Sequence, residues 1–352
     1  MQTACIAYHA AKHSTKPTHA RKPSMKPNVS IIIPIYNVKP FLEQCLESVL
    51  AQDMPEIEVV CVDDGSTDGS SDIIDRFAAR DERIVAVHKE NGGYGKAVNR
   101  GLEHATADYI GIVEPDDYVD PAMYRTLWNA AQRHRCPDVV KAAYWRVCAA
   151  GTEEEHMLPA NYLHCVSKVD EPFQLAEDAE FLFHHPSIWS AIYRRSFLDE
   201  HHIRMHEIPG AGWADNPFLM ETLAEARTIV YVDEPLYFYR EFNVNSSSNV
   251  KDPSIIYDRW LDMDDIVKAQ HITAPRILEG HYNRGCAYLE MLNDDFDVED
   301  PEIKRNIKAM VARIDYNAVI ASQKIPQNYK DAYQRHVSAP ARLAHKISRV
   351  FK

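Results

Sequence analysis

Two hydrophobic periods alternate along the N-terminal part of this chain. Short, nearly continuous apolar runs at Val29–Pro34, Ile57–Val62, Arg83–Val87 and Tyr109–Val113 have the length and β-branched content of buried strands. Between them, Phe41, Leu42, Cys45, Leu46, Val49 and Leu50 fall on one face at helical spacing, which predicts an amphipathic helix. Further helices are predicted over Ser70–Arg80, with Ile73, Ile74 and Phe77 inward, and over Tyr94–Ala105. Strands alternating with helices through short links are the pattern of a mostly parallel α/β sheet flanked by helices, Rossmann-like in layout.

Beyond the fourth strand the pattern is mixed. A helix is expected over Ala122–Arg133, strands over Val139–Ala149 and Ile188–Arg194, a helix over Asn216–Ala226, and two extended runs over Thr228–Val232 and Leu236–Arg240. From Ile255 the periodicity turns helical: Tyr257–Ala269, Arg276–Leu292, Pro301–Ser322 and Asn328–Phe351, separated by Pro or Asp/Asn clusters that stop helices. A boundary is expected near 250–256, after the polar run Asn243–Asn249, so that 251–352 forms a helical C-terminal extension. Residues 1–28 carry little apolar periodicity and read as a flexible tail.

Composition narrows the partners. The chain has 352 residues and a formal net charge of −13, which argues against a nucleic-acid partner. Its seven cysteines are odd in number, without a C-x-x-C pair. They read as small core residues of a protein in a reducing, cytoplasmic setting rather than as a zinc site or a disulfide framework.

Four segments carry candidate chemistry. Glu114-Pro115-Asp116-Asp117 follows the fourth strand, and the carboxyl ends of strands are where open α/β sheets bind ligands. Its hard oxygens suit Mg²⁺ or Mn²⁺ shared with a phosphate; a solvated turn is the competing reading. Asp63-Asp64-Gly65-Ser66-Thr67-Asp68-Gly69 follows the second strand and suits either a helix-capping turn or a nucleotide pocket in which a carboxylate accepts the N3–H of uracil. Asn91-Gly92-Gly93-Tyr94-Gly95-Lys96 is either a flexible strand-to-helix turn or a place where backbone approaches a ligand, with Lys96 or Arg100 available to phosphate. Asp215, in Gly212-Trp213-Ala214-Asp215-Asn216-Pro217-Phe218, suits a helix N-cap or a general base.

The order and spacing of Val29–Asn37, Val62–Asp68, Asn91-Gly92-Gly93, Glu114–Tyr118 and the Trp213–Phe218 segment resemble the family 2 glycosyltransferases, which have the GT-A fold. The resemblance runs from Val29 to about Asn249. It implies a GT-A domain over 29–250, with a nucleotide-binding half at 29–120 and an acceptor half at 121–250. It also implies an inverting, metal-dependent transfer of a sugar from a nucleotide-sugar donor, a UDP-sugar, to a glycan or lipid-linked glycan. Pro34 and Tyr36 would line base and ribose, Asp64 would accept the uracil N3–H with Asp63 supporting it, and Asn91 and Gly92 would close over the base. Asp116 would be the direct ligand of Mn²⁺ or Mg²⁺. Glu114 stands where the family has the first Asp of its D-x-D motif and would reach ribose or metal. Asp215 would be the catalytic base, with Ala214 in place of the usual Glu. Arg240 and Ser247, in a stretch similar to the family's Y-x-Y-R…S-S-S, would meet the diphosphate, and Trp213 would meet the acceptor. The setting implied is bacterial capsule, exopolysaccharide or lipopolysaccharide assembly in the cytoplasm at the inner face of the membrane.

Other features weigh less. His184-His185 and His201-His202 with His206 lack a completing carboxylate in sequence, and Trp189 reads as core. At the C-terminus Arg342, Lys346, Arg349 and Lys352 oppose Leu343, Ile347, Val350 and Phe351; such a helix either lies on an anionic membrane or packs on its own domain. A sugar-1-phosphate nucleotidyltransferase would need a Gly-rich basic loop where Ile35–Lys39 stands. A degenerate glycan- or nucleotide-binding subunit is the alternative suggested by Glu114 and Ala214.

Overall fold

The computed structural model describes residues 26–241 and 250–337; most of the N-terminal tail, Ser247 and the basic stretch 342–352 lie outside the described residues. Four parallel strands come first: β1 (Val29–Ile35), β2 (Ile57–Asp63), β3 (Ile84–His88) and β4 (Tyr109–Ile112). β1 and β2 are buried along their whole length, which is why their sequence is nearly continuous Val and Ile rather than alternating. β2 and β4 flank β1, and β3 lies outside β2. The chain therefore winds outward from β1 through β2 to β3, then returns to the other side of β1. That reversal opens a crevice at the carboxyl ends of β1 and β4. Helices α1 (Lys39–Leu50), α2 (Ser70–Ala78) and α3 (Tyr94–His104) make the connections.

The second half extends the same sheet with β5 (Tyr118–Val119), β6 (Val139–Cys148), β7 (His156–Pro159), β8 (Pro172–Phe173), β9 (Ala191–Arg194) and β10 (Ile229–Arg240). The order is β3-β2-β1-β4-β9-β6-β10-β5, with β7 on β6 and β8 on β10. β9 runs antiparallel to both β4 and β6, whereas β10 is parallel to β6. Helices α4 (Met123–Arg133), α5 (Arg195–Glu200) and α6 (Asp215–Glu225) belong to this half. The two extended runs expected at 228–232 and 236–240 are one strand, β10. Its register slips on β6 between Val232 and Tyr237, around Pro235; a proline is tolerated inside a strand at such a bulge.

The C-terminal part holds α7 (Pro253–Ala269), α8 (Pro275–Asp295), α9 (Pro301–Arg313), α10 (Tyr316–Ala321) and α11 (Gln327–His336). The single helix expected over Pro301–Ser322 is broken, because the Asp315 carboxylate accepts the Ala318 N–H at 2.8 Å and starts α10 afresh. Trp260 of α7 stacks on His281 of α8 at 4.7 Å. α8 leans on a 3-10 turn at Glu180–Phe183. The contact is so close that a Cβ on Gly280 would stand 2.6 Å from Leu182 Cβ. Among the described residues no helix is long and apolar enough to cross a membrane.

Candidate active site

At the carboxyl ends of β1 and β2 the nucleotide-side residues gather. Pro34 is buried inside β1, and Tyr36, just past its end, is 49% exposed. Asp63 is buried and holds its own turn. It accepts the Ser66 N–H at 2.9 Å and the Ser71 hydroxyl at 2.6 Å, and lies 3.0 Å from His88 Nδ1. Burial opposes its ionisation, but these hydrogen bonds outweigh burial and hold it below the usual carboxylate range. Asp64 is 2% exposed. It accepts the Gly93 N–H at 2.8 Å and shares the Gly92 N–H between both oxygens at 3.0 and 3.2 Å, and Lys89 Nζ pairs with Oδ1. A carboxylate has about four acceptor positions, and Lys89 and Gly92 on Oδ1 with Gly93 and Gly92 on Oδ2 take them up, so a ligand's donor would share an oxygen with these groups. Asn91 Nδ2 donates to the Asp64 carbonyl at 3.0 Å. Lys96 is exposed on α3.

The glycines of this loop serve a second purpose that the sequence does not announce. Cβ atoms on Gly93 and Gly95 would lie 2.7 Å from Ile208 O and 2.1 Å from His206 O. They let the segment 206–210, which leads towards α6, cross the start of α3, with Tyr94 N–H donating to Gly210 O at 2.9 Å. This crossing ties the nucleotide side to the segment that carries Asp215.

The acidic loop after β4 is anchored from three directions. Tyr237 on β10 donates its hydroxyl to Asp117 Oδ2 at 2.9 Å and accepts the Glu114 N–H at 3.0 Å. The Arg240 N–H donates to Asp117 Oδ1 at 2.7 Å. Asp117 is thus a fastener, and burial, reinforced by the charge of Asp116, pushes its carboxyl well above the usual range. Tyr94 on α3 donates to Glu114 Oε1 at 2.6 Å. Burial, opposed by that hydroxyl and reinforced by the charges of Asp116 and Asp215, pushes Glu114 up to about 8. The Arg240 guanidinium lies 5.2 Å from the Phe41 ring centre and 5.0 Å from that of Tyr118, and donates to Asp116 O and Gln44 Oε1.

Glu114, Asp116, Asp117 and Asp215 all face one cavity of about 780 Å³, together with Arg240 and Arg284. Asp215 is the first residue of α6, with Ala214 at the cap position, so the N-cap alternative does not hold. Burial raises its pKa, opposed by Arg284 and by hydrogen bonds from Asn216 and the backbone. Trp213 precedes it with φ of 54° and lies 5.3 Å from Tyr288 of α8, ring to ring. Trp189, expected as core, is buried yet lines the same cavity and stacks on Tyr237 at 4.1 Å and Tyr239 at 5.3 Å. Asn216, Arg284 and Tyr288 also line it. No motif in the sequence singles out the α8 pair; their spacing of four on a long amphipathic helix was the only available signal.

The donor set suits a hard divalent cation, because carboxylates crowded enough to raise one another's pKa are relieved by positive charge. Among the described residues no three His, Cys, Asp or Glu side chains form a metal cage by themselves. An ion held by Asp116 would therefore take its remaining ligands from phosphate and water. The histidines are dispersed: His184 pairs with Glu180, His201 with Glu225 and His206 with Asp262.

A sheet wound outward from β1, with carboxylates at its switch point and a second acidic residue facing them across a cavity, defines a GT-A-type α/β protein. Residues 30–201 match the family described as Glycosyl transferase family 2. The Bacillus subtilis (strain 168) protein named uncharacterized glycosyltransferase EpsJ is 35% identical over 227 residues, 64% of this chain and 64% of its own. The Streptococcus pneumoniae glycosyltransferase GlyA is 28% identical over 216 residues, 60% of this chain and 30% of its own. The chain thus spans less than two thirds of either relative's length. A crystal structure of S. aureus TarS residues 1–349 in complex with UDP-GlcNAc superposes with a TM-score of 0.71 at 19% identity, covering 89% of this chain and 91% of that one. Residues 30–201 thus carry a family 2 glycosyltransferase match, and the chain is similar to glycosyltransferases of that family.

Proposed function

We propose that this protein transfers a sugar from a UDP-sugar to a hydroxyl of a glycan or lipid-linked glycan, with inversion at the anomeric carbon. The observation that carries the reading is the meeting of Glu114, Asp116 and Asp215 in one cavity at the switch point of the sheet. The uracil lies beside Tyr36, its N3–H on the Asp64 carboxylate in place of one of that group's present donors, with Asn91 and Gly92 over the base. The sugar points into the cavity. The TarS fragment, alike in fold, is known in complex with UDP-GlcNAc, which supports a UDP-sugar as donor.

Asp215 takes the proton from the acceptor hydroxyl as its oxygen attacks the anomeric carbon and the bond to the diphosphate breaks. Burial, which makes Asp215 more basic than an exposed Asp, suits this task, and general-base catalysis contributes roughly 10²- to 10⁴-fold. Asp116 would hold Mn²⁺ or Mg²⁺, with Glu114 reaching the same ion or the ribose; when bound, the ion would stabilise charge on the departing diphosphate. Arg240, beside Asp116, adds a fixed cation, and Ser247 and Lys96 are further phosphate candidates. Trp213 offers a face for an acceptor sugar, whereas the stacked Trp189 shapes the cavity wall. The basic C-terminal stretch would bring the protein to the inner face of an anionic membrane.

Isothermal titration with UDP and Mn²⁺, paired with UDP release from UDP-GlcNAc, tests the reading. Binding that needs Mn²⁺ and disappears in Asp116→Ala is expected, as is turnover in the unaltered protein. Metal-dependent binding without any turnover would favour the binding-subunit alternative instead.

A further inference from the structure

The cavity has a wall that lies outside the family-matched residues 30–201. Helix α8 sends Arg284 and Tyr288 towards α6, and both converge on a single atom. Arg284 Nη1 and the Tyr288 hydroxyl each donate to Asn216 Oδ1 at 2.8 Å. The other end of that amide, Nδ2, lies 3.2 Å from Asp215 Oδ1. An amide's two ends are nearly equal in shape, and chemistry must decide between them. Here it does so without ambiguity. A guanidinium has only donors, so the end facing α8 must be the carbonyl and the end facing Asp215 must be the NH₂. Arg284 is held in turn by the carbonyls of His184 at 2.5 Å and Leu182 at 3.3 Å. Arg284 is 8% exposed and Asn216 is 4% exposed, so the chain of contacts is sheltered from water.

We propose that α8 is a positioning element of the active site: Arg284 and Tyr288 fix the Asn216 amide so that its NH₂ donates to the Asp215 carboxylate and orients it in the cavity. The proposal rests on Asp215 being the general base. With the amide reversed, a carbonyl oxygen would face the carboxylate and disfavour its ionised form. The charged and titratable groups that face Asp215 are Tyr94 from α3, Glu114 after β4, Tyr239 from β10, and Arg284 and Tyr288 from α8. Among these described residues Arg284 is the cation that acts on Asp215, so α8 supplies both the amide's orientation and a balancing charge.

The test is the pH profile of kcat/KM for UDP release from UDP-GlcNAc, measured with the unaltered full-length protein and with Asn216→Leu, Arg284→Met and Arg284→Lys. A hydrogen bond to an ionised group is worth about one pH unit. The acidic limb should therefore move up by about one unit in Asn216→Leu and Arg284→Met. This means roughly tenfold less activity on the acidic side and recovery towards high pH, with the UDP dissociation constant unchanged. Arg284→Lys should restore part of the shift. Tyr288→Phe removes one of the two donors with little change of volume and should shift the limb by less, which keeps the test open should the larger substitutions fail to fold. Folded Asn216→Leu and Arg284→Met proteins whose limb stays in place, with activity lowered equally at every pH, would overturn the proposal. An Asp215→Asn protein that keeps its turnover would overturn the base reading itself; if Asp215→Asn is inactive and the limb is still unmoved, only the role of α8 fails.

Discussion

Glu114→Gln isolates the most unusual acid of the site. The unfolded chain ionises Glu near 4.5, and in the fold Glu114 is pushed up to about 8, chiefly by burial, with the charges of Asp116 and Asp215 adding to it. A folded value above the unfolded one means that the native state binds the extra proton between pH 4.5 and about 8. Stability is then fully present below pH 4.5 and lost as pH rises to about 8. At ~1.4 kcal/mol per pKa unit that span amounts to roughly 5 kcal/mol. Glu114 is part-buried and lines the cavity, so solvent screening makes this figure an upper bound. Gln can still accept the Tyr94 hydroxyl, but its NH₂ lacks a ready partner in this loop, which costs about 1–3 kcal/mol. The variant should therefore match or fall slightly below the parent at pH 5 and exceed it by roughly 2–4 kcal/mol at pH 9. Urea unfolding at pH values from 5 to 9, without metal or nucleotide, measures the difference. Parallel stability curves for the two proteins would refute the burial of a reluctant carboxylate at this position.

Two further outcomes concern elements that hold the cavity's walls. Lys141 is 1% exposed; burial pushes it down to about 7, and its Nζ donates to Ser187 O at 2.6 Å and to the Ser187 and Ser190 hydroxyls at 2.9 and 3.0 Å. A lowered folded value means that the unfolded state binds the extra proton above about pH 7, so parent stability should gain up to ~1.4 kcal/mol per unit over that window relative to Lys141→Met. Urea midpoints of the pair that keep a constant separation between pH 7 and 9 would count against it. Gly280→Ala should destabilise by about 1–3 kcal/mol through overpacking against Leu182, although the same exchange in an open helix stabilises by about 1 kcal/mol; a raised melting temperature would show that α8 has room to move.

The parallel half of the fold was legible because buried strands and amphipathic helices write their period directly into the sequence. Val29–Ile35 and Ile57–Asp63 are apolar because both their faces are covered. β10 was read as two pieces because Pro235 looks like a break, and only pairing with β6 shows that it is a bulge. The helix after Pro301 was read too long because an Asp inside a periodic run does not reveal that its carboxylate caps the next helix. At the site, the acids at strand ends were visible from their order and spacing. Their partners were not, because Tyr94 meets Glu114 and Tyr237 meets Asp117 only across the sheet. Arg284 and Tyr288 were invisible for the same reason: on α8 they are two polar residues of an amphipathic helix, and only tertiary packing brings them to Asn216.

The central claim is that Asp215 removes the acceptor proton while the nucleotide is held elsewhere. Asp215→Asn keeps the volume and removes the base. Measured side by side, UDP affinity by isothermal titration should stay within about twofold, while UDP release from UDP-GlcNAc in the presence of Mn²⁺ should fall by at least about 10²-fold. A variant that binds UDP as before and turns over at the parent rate would contradict the account.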